Sequence, residues 1–285
     1  MIEGIEELNA KSGCIPQTNP DGTKNIDWFR QRIGCITSSK VSMVMLESAE
    51  VKNYKKALLA LADEFPRLKK GQTLEGYRAE IEAMLPELKK AAEAEPFSDT
   101  AKGYLYQVAA ERNLKEQILD NDDYFLSYLD RVEINSKAIR LGNELEGVAR
   151  DAFMQMTGKE VVECGFIRHT EIPDYGDSPD GITIDEKGRP LEAVEIKCPK
   201  PDTWMRYKTT IKDAESLKEE KPEYYWQCMS HMEVNGLKRC YFIFFDWMQK
   251  NSMQVLLLER NEKDIAYMLE RVKMANDYIN NVILA

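Results

Sequence analysis

Chemistry-bearing residues concentrate in one stretch of the chain, SPDGITIDEKGRPLEAVEIKCPKP, residues 178–201. On a β-strand, side chains two residues apart share a face. Glu195 and Lys197 therefore point one way, and Val194 and Ile196 point the other way, toward a core. A carboxylate binds a hard divalent cation through oxygen. A neighbouring lysine can help position and deprotonate an attacking water and offset charge building on a phosphate. Asp180, in Pro179-Asp180-Gly181, precedes a strand that a tight turn joins to the strand of Glu195, so it is expected beside Glu195 as a second carboxylate. Glu-x-Lys alone is an ordinary surface ion pair. It gains meaning from the company of Pro-Asp-Gly, a hairpin and an apolar strand that ends at Cys198-Pro199.

A third acid comes from a helix. Leu141, Leu145, Val148, Ala149, Ala152, Phe153 and Met156 recur at helical spacing, and Gly158 closes the run. Glu146 falls at the edge of that apolar stripe, next to Phe153 on the helical wheel, where a carboxylate can face a sheet; Glu144 lies away from that edge. Neither His169 nor His231 has a ligand partner at metal spacing; His231, one turn after Gln227, could approach the site, but a single histidine on a mixed helix face reads first as structural.

The elements that must position these groups follow from pattern. Residues 1–27 are punctuated by Gly13, Pro16, Pro20 and Gly22 and look irregular. Ile33 to Ile36 form a short apolar segment, then Thr37, Ser38 and Ser39 offer helix-capping hydroxyls to a helix over 40–46. Residues 51–97 are rich in Ala, Glu, Lys and Leu, are interrupted at Pro66, Gly71, Pro86 and Pro96, and carry no candidate chemistry. We take 48–100 as a helical insertion within a single domain spanning 1–285. A helix is expected over 101–119, strands at VVECGFI, GITID and LEAVEIKC, a helix from Pro222 to near Gly236, strands at CYFIFFDW and MQVLLLE, and a last helix from about Asp264. This order predicts an α/β fold with a central mixed sheet flanked by helices.

Composition excludes little. The 285 residues carry a formal charge of −10. An acidic balance argues against a generally basic nucleic-acid binder, yet phosphate contact needs only a local basic surface. No run approaches the roughly 20 apolar residues that span a bilayer, and the acidic MIEGIEELNA does not read as a secretory leader. The six cysteines form no C-x-x-C pair, so reduced thiols in a cytoplasmic protein are expected.

The chain resembles the lambda exonuclease and YqaJ-type viral recombinase family, within the PD-(D/E)xK nuclease superfamily. The resemblance rests on WFRQRIGCITSSKV (28–41), GNELEGVARDAFMQMTG (142–158), Ser178 to Gly181, Glu195 to Pro199, Tyr225-Trp226-Gln227, and the tail VLLLERNEKDIAYMLERV. It implies a restriction-endonuclease-like fold. It further implies a Mg²⁺-dependent 5′→3′ exonuclease on duplex DNA, in which a metal-bound water attacks the phosphodiester; carboxylate sites suit Mn²⁺ as well as Mg²⁺. Asp180 and Glu195 would be metal ligands, Glu146 would assist them, Lys197 would act on the water, and Gln227 would stand close to the catalytic centre. Arg32 and Ser39 match positions that bind the 5′-phosphate of a DNA end. A ring-shaped homotrimer, a single-strand annealing partner, and a phage or prophage origin in a bacterial cytoplasm go with the resemblance. A further acidic position in the family leaves Glu171, Asp174 and Asp177 as alternatives here. The competing expectations are a structure-selective or restriction-like endonuclease with the same metal site, and a catalytically silent DNA-end binding module. An iron–sulfur nuclease is disfavoured by the wide spacing of Cys198, Cys228 and Cys240.

Overall fold

Strand β6 (Pro190–Lys197) organises the molecule. In the computed structural model, which describes Asn19, Thr23, residues 25–132 and residues 137–285, with side chains throughout except over 137–144, its two faces are both buried. It lies at the centre of a five-stranded sheet in the order β2-β5-β6-β7-β8, formed with β2 (Glu160–Val162), β5 (Gly181–Ile184), β7 (Arg239–Phe245) and β8 (Met253–Glu259). The β6–β7 pair is parallel and the other three pairs are antiparallel, so the sheet is mixed. The turn from β5 to β6 is built by Asp185, whose carboxylate accepts from the backbone N–H groups of Lys187 and Arg189, and by Gly188 at φ 74°. Gly181 opens β5 very close to β2: a Cβ there would stand 2.5 Å from Val161 Cγ1.

One face of β6 packs on helix α8 (Lys137–Thr157). Ala149 and Phe153 join Val161, Val194, Ile196, Ile243 and Phe245 in one apolar cluster. The other face packs on α11 (Pro222–Val234), which is buried almost all round from Tyr225 to Met232. Parallel β6 and β7 need a crossover, and α9 (Pro201–Thr210), α10 (Ala214–Glu220) and α11 supply it. Helix α12 (Glu262–Tyr278) follows β8, and a π-helical turn (Ile279–Ile283) continues it.

A smaller sheet, β1-β4-β3, is made from β1 (Ile36–Thr37), β3 (Ile167–Arg168) and β4 (Tyr175–Asp177). It pairs Thr37 with Gly176 and so brings the hydroxyl-rich segment to the loop that ends in Asp180. Upstream of β1 runs α1 (Ile26–Arg32); downstream come a 3₁₀ turn (Ser38–Lys40) and the short α2 (Val41–Val44).

Backbone contacts divide the chain into two compact units, residues 43–107 and the remainder. The 43–107 unit contains α3 (Ala49–Ala62), α4 (Leu74–Ala94) and most of α5 (Asp99–Arg112), with a bridge between Glu47 and Phe97. The other unit holds α6 (Glu116–Asp120) and α7 (Asp122–Val132).

Several expectations are corrected in detail. Pro86 does not break its helix but lies inside α4, whose exposure lets water take up the freed carbonyl. The helix expected over 101–119 is two helices, α5 and α6. VVECGFI is not one strand: it feeds β2 in the large sheet and β3 in the small one. The apolar stripe of α8 is narrower than its pattern, since Val148 and Met156 are exposed while Ala149 and Phe153 are fully buried; Leu141 lies outside the described side chains. Most of residues 1–27 lies outside the described residues. Among the described residues no helix is long and apolar enough to cross a membrane.

Candidate active site

Asp180 stands at the mouth of the β5–β6 ladder. Its Oδ2 accepts the backbone N–H of Ile196 at 2.6 Å, so the side chain extends the hydrogen bonding one step beyond the strand pairs. Glu195, next along β6, is fully buried on the α11 side. Its Oε2 meets His231 Nε2 at 2.7 Å, and its Oε1 forms an ion pair with the Lys197 ammonium and has no other partner among the described residues. Lys197 also lies 5.3 Å from the centre of the Tyr224 ring. Glu146, on α8, receives a hydrogen bond from Arg150 at 3.2 Å, and Arg150 pairs with Glu163 as well. Gln227 is on α11, one turn before His231.

These groups share a cavity of about 660 Å³ lined by Glu146, Asp180, Glu195, Lys197, Gln227 and Tyr224. Arg32, Thr37, Ser38 and Ser39 line the same cavity. The Arg32 guanidinium stacks 4.2 Å from the Trp28 ring centre. Thr37 and Ser39 share a hydroxyl contact at 3.2 Å, and Ser38 bonds Ser230 of α11 at 2.6 Å. All seven residues singled out from the sequence thus reach one cavity.

The charges in it are strongly interacting. Burial, together with the neighbouring charges of Glu195 and Glu146, pushes the Asp180 carboxyl well above its ordinary range, against the pull of Lys197 and the Ile196 N–H. Burial pushes Glu146 up to about 7; Arg150 opposes the shift, while Glu195 and Glu163 add to it. Glu195 ends below its ordinary range because Lys197 and His231 outweigh the cost of burial. Lys197, despite burial, is held firmly as an ammonium by Glu195 and Asp180.

Acids that raise one another this way suit a cation. Glu195 Oε1, buried and paired among the described residues with the Lys197 ammonium, is an oxygen a metal ion could claim. Among the described residues no three His, Cys, Asp or Glu side chains close around an ion by themselves. The carboxylate oxygens of Asp180 and Glu195 are of the kind a hard divalent ion accepts, with water and phosphate oxygens filling the rest of its shell.

Sequence reasoning read His231 as structural and left Asp177 as one of three alternative acids, so the layer behind the site was only partly anticipated. His231 is fully buried and bridges Glu195 to Asp177, whose other oxygen accepts from Asn235 Nδ2 at 2.6 Å. Of the three alternative acids, Asp177 is the fully buried one joined to the site, whereas Glu171 is exposed and Asp174 lies 3.7 Å from Arg112. His231 lies four residues after Gln227, and that spacing was the one signal available. Among the described residues Cys35, Cys164, Cys198, Cys228 and Cys240 are free thiols, and Cys14 lies outside the described residues.

Solved structures share this fold. The alkaline exonuclease LHK-Exo from Laribacter hongkongensis superposes with a TM-score of 0.58 at 22% identity, over 90% of this chain and 93% of that one. LHK-Exo in complex with dAMP superposes with a TM-score of 0.60 at 22% identity and the same coverage. The fold is therefore the restriction-endonuclease-like one of these exonucleases. No curated protein matches the chain in sequence. The model of the YqaJ-like viral recombinase domain matches residues 27–238, most of the chain, and with it the whole cavity described above: the chain belongs to the YqaJ-like viral recombinase domain family, a family of DNA nucleases.

Proposed function

We propose that this chain is a Mg²⁺-dependent exonuclease that degrades one strand of linear duplex DNA from its 5′ end and leaves a 3′ single strand for recombination by annealing. One observation carries the reading: two carboxylates, an ammonium, a helical acid and an arginine–hydroxyl group line a single cavity. A nucleotide is also the ligand named for the structurally similar LHK-Exo.

Asp180 and Glu195 would hold the ion and Glu146 would assist. When bound, the ion supplies Lewis acidity and lowers the pKa of a nearby water. Lys197 faces the same space, so its role is to act on the attacking water and to offset charge building on the phosphate. The Ile196 N–H holds one Asp180 oxygen and leaves the other available. Gln227 offers an amide to orient substrate or water. Arg32, its plane fixed against Trp28, and Ser39 form an anion pocket for a 5′-phosphate. Mn²⁺ would suit the same oxygen donors.

Around this core we place a ring-shaped homotrimer, a single-strand annealing partner, a host-cell cytoplasmic setting, and residues 48–100 as a helical insertion in one nuclease domain. These rest on the family. The deciding experiment digests linear duplex DNA bearing a 5′-phosphate or a 5′-hydroxyl, and a covalently closed circle, with Mg²⁺ or EDTA. Release of nucleotides from linear DNA only, with Mg²⁺ and faster from the phosphorylated end, is expected. Cutting of the closed circle would replace the exonuclease with an endonuclease using the same site. Activity in EDTA would remove the metal.

A further inference from the structure

Behind the cavity, four buried groups form a linear chain. Asn235 Nδ2 donates to Asp177 Oδ2, His231 Nδ1 meets Asp177 Oδ1 at 2.7 Å, and His231 Nε2 meets Glu195 Oε2 at 2.7 Å. Asp177, His231 and Glu195 are each 0% exposed. A carboxylate only accepts, so an imidazole that hydrogen-bonds carboxylates at both nitrogens donates from both. Neither His231 nor Asp177 lines the cavity, so neither can touch substrate. Glu195 does line it, and the oxygen not taken by His231 is Oε1, which among the described residues pairs only with Lys197.

We propose that His231, braced from behind by Asp177 and Asn235, is a positioning residue that pins one oxygen of Glu195 and leaves Oε1 as the single oxygen this carboxylate offers to a divalent ion. The assignment rests on the metal-dependent reading above. Hydrogen-bond partners of a ligating side chain fix its orientation, and their loss typically weakens metal binding by 10- to 100-fold. The fold gives His231 a stiff mount: it projects from α11, and its neighbour Ser230 is tied to both Tyr175 and Ser38.

The test measures Mn²⁺ binding to the DNA-free protein by electron paramagnetic resonance or calorimetry, in the unmodified chain, Glu195→Gln, His231→Gln and the double variant Asp177→Asn/His231→Gln. The double variant avoids leaving two buried acids without a partner, so it keeps the experiment decisive if His231→Gln does not fold. In whichever variant folds, Mn²⁺ affinity should fall about tenfold or more. The metal concentration for half-maximal rate should rise by the same factor, with KM for DNA unchanged. A residue that serves the fold alone would shift the melting temperature but not the Mn²⁺ affinity. Unchanged Mn²⁺ affinity in a folded His231 variant, alongside a loss in Glu195→Gln, overturns this assignment and spares the metal site. Unchanged affinity in Glu195→Gln overturns the metal site itself.

Discussion

The same two residue types meet in two places with opposite consequences. On α4, Lys89 and Glu93 stand 3.8 Å apart, with side chains 61% and 68% exposed. On β6, Lys197 pairs with Glu195, whose side chain is 0% exposed. In water the first pair is screened and worth about 1 kcal/mol at most. In the second, Glu195 has lost its hydration while the Lys197 side chain stays 26% exposed, and taking the carboxylate out of water costs several kcal/mol unless surrounding groups restore it. A fold keeps such an arrangement only with compensation, and here compensation comes from His231, which bonds Glu195 and is held in turn by Asp177, itself bonded to Asn235. Charge alone therefore says little about where function lies; charge removed from water says much more.

The contrast can be broken most severely at the buried end. Lys197→Ala and Asp180→Asn should each lower Mg²⁺-dependent nucleotide release by about 10²–10³-fold, a typical cost of removing one preorganised charge-stabilising group. Circular dichroism should show an intact fold, and full activity in both variants would dismiss this site. A smaller effect is expected in the anion pocket. Arg32→Ala should reduce the preference for 5′-phosphorylated over 5′-hydroxyl ends by about tenfold, the worth of one charge-assisted hydrogen bond; an unchanged ratio of rates would place end recognition elsewhere.

Protonation sharpens the comparison further. A carboxyl whose folded-state pKa is raised stabilises the native state at low pH, fully below its ordinary 4.5, and that contribution is lost as pH rises through about 7. Metal-free Glu146→Gln should therefore melt with a flatter pH dependence than the unmodified chain between those values. Mn²⁺ affinity of the unmodified chain should climb toward pH 7 as Glu146 ionises, and identical profiles in the two proteins would contradict the raised carboxyl. The smallest effect belongs to the exposed pair. Lys89→Ala should change stability by no more than about 0.5 kcal/mol in a denaturant titration and leave nuclease rates alone.

Much of this was readable before any coordinates. Strands β5, β6, β7 and β8 emerged from their apolar runs because a buried strand must be apolar on at least one face, and Glu195-x-Lys197 stood out as charge in such a strand. What stayed hidden depends on contacts distant in the chain. Asp177 and His231 are 54 residues apart and meet only when β4 and α11 pack. Nothing local distinguishes Asp177 from Glu171 or Asp174, and a lone helical histidine usually serves packing. Pro86 misled for the converse reason, since local propensity favours a break that an exposed helix can absorb.

The crowding at Gly181 has a reach beyond its own strand. With Val161 Cγ1 only 2.5 Å from where a first side-chain carbon would lie, the gap between β2 and β5 is sized to the absence of one methyl group. Because Asp180 is the preceding residue, that gap sets the depth at which its carboxylate meets β6. Volume at positions 161 and 181 is therefore a shared quantity: it can grow at one only by shrinking at the other, and a change on an outer strand is felt as a displaced acid at the cavity.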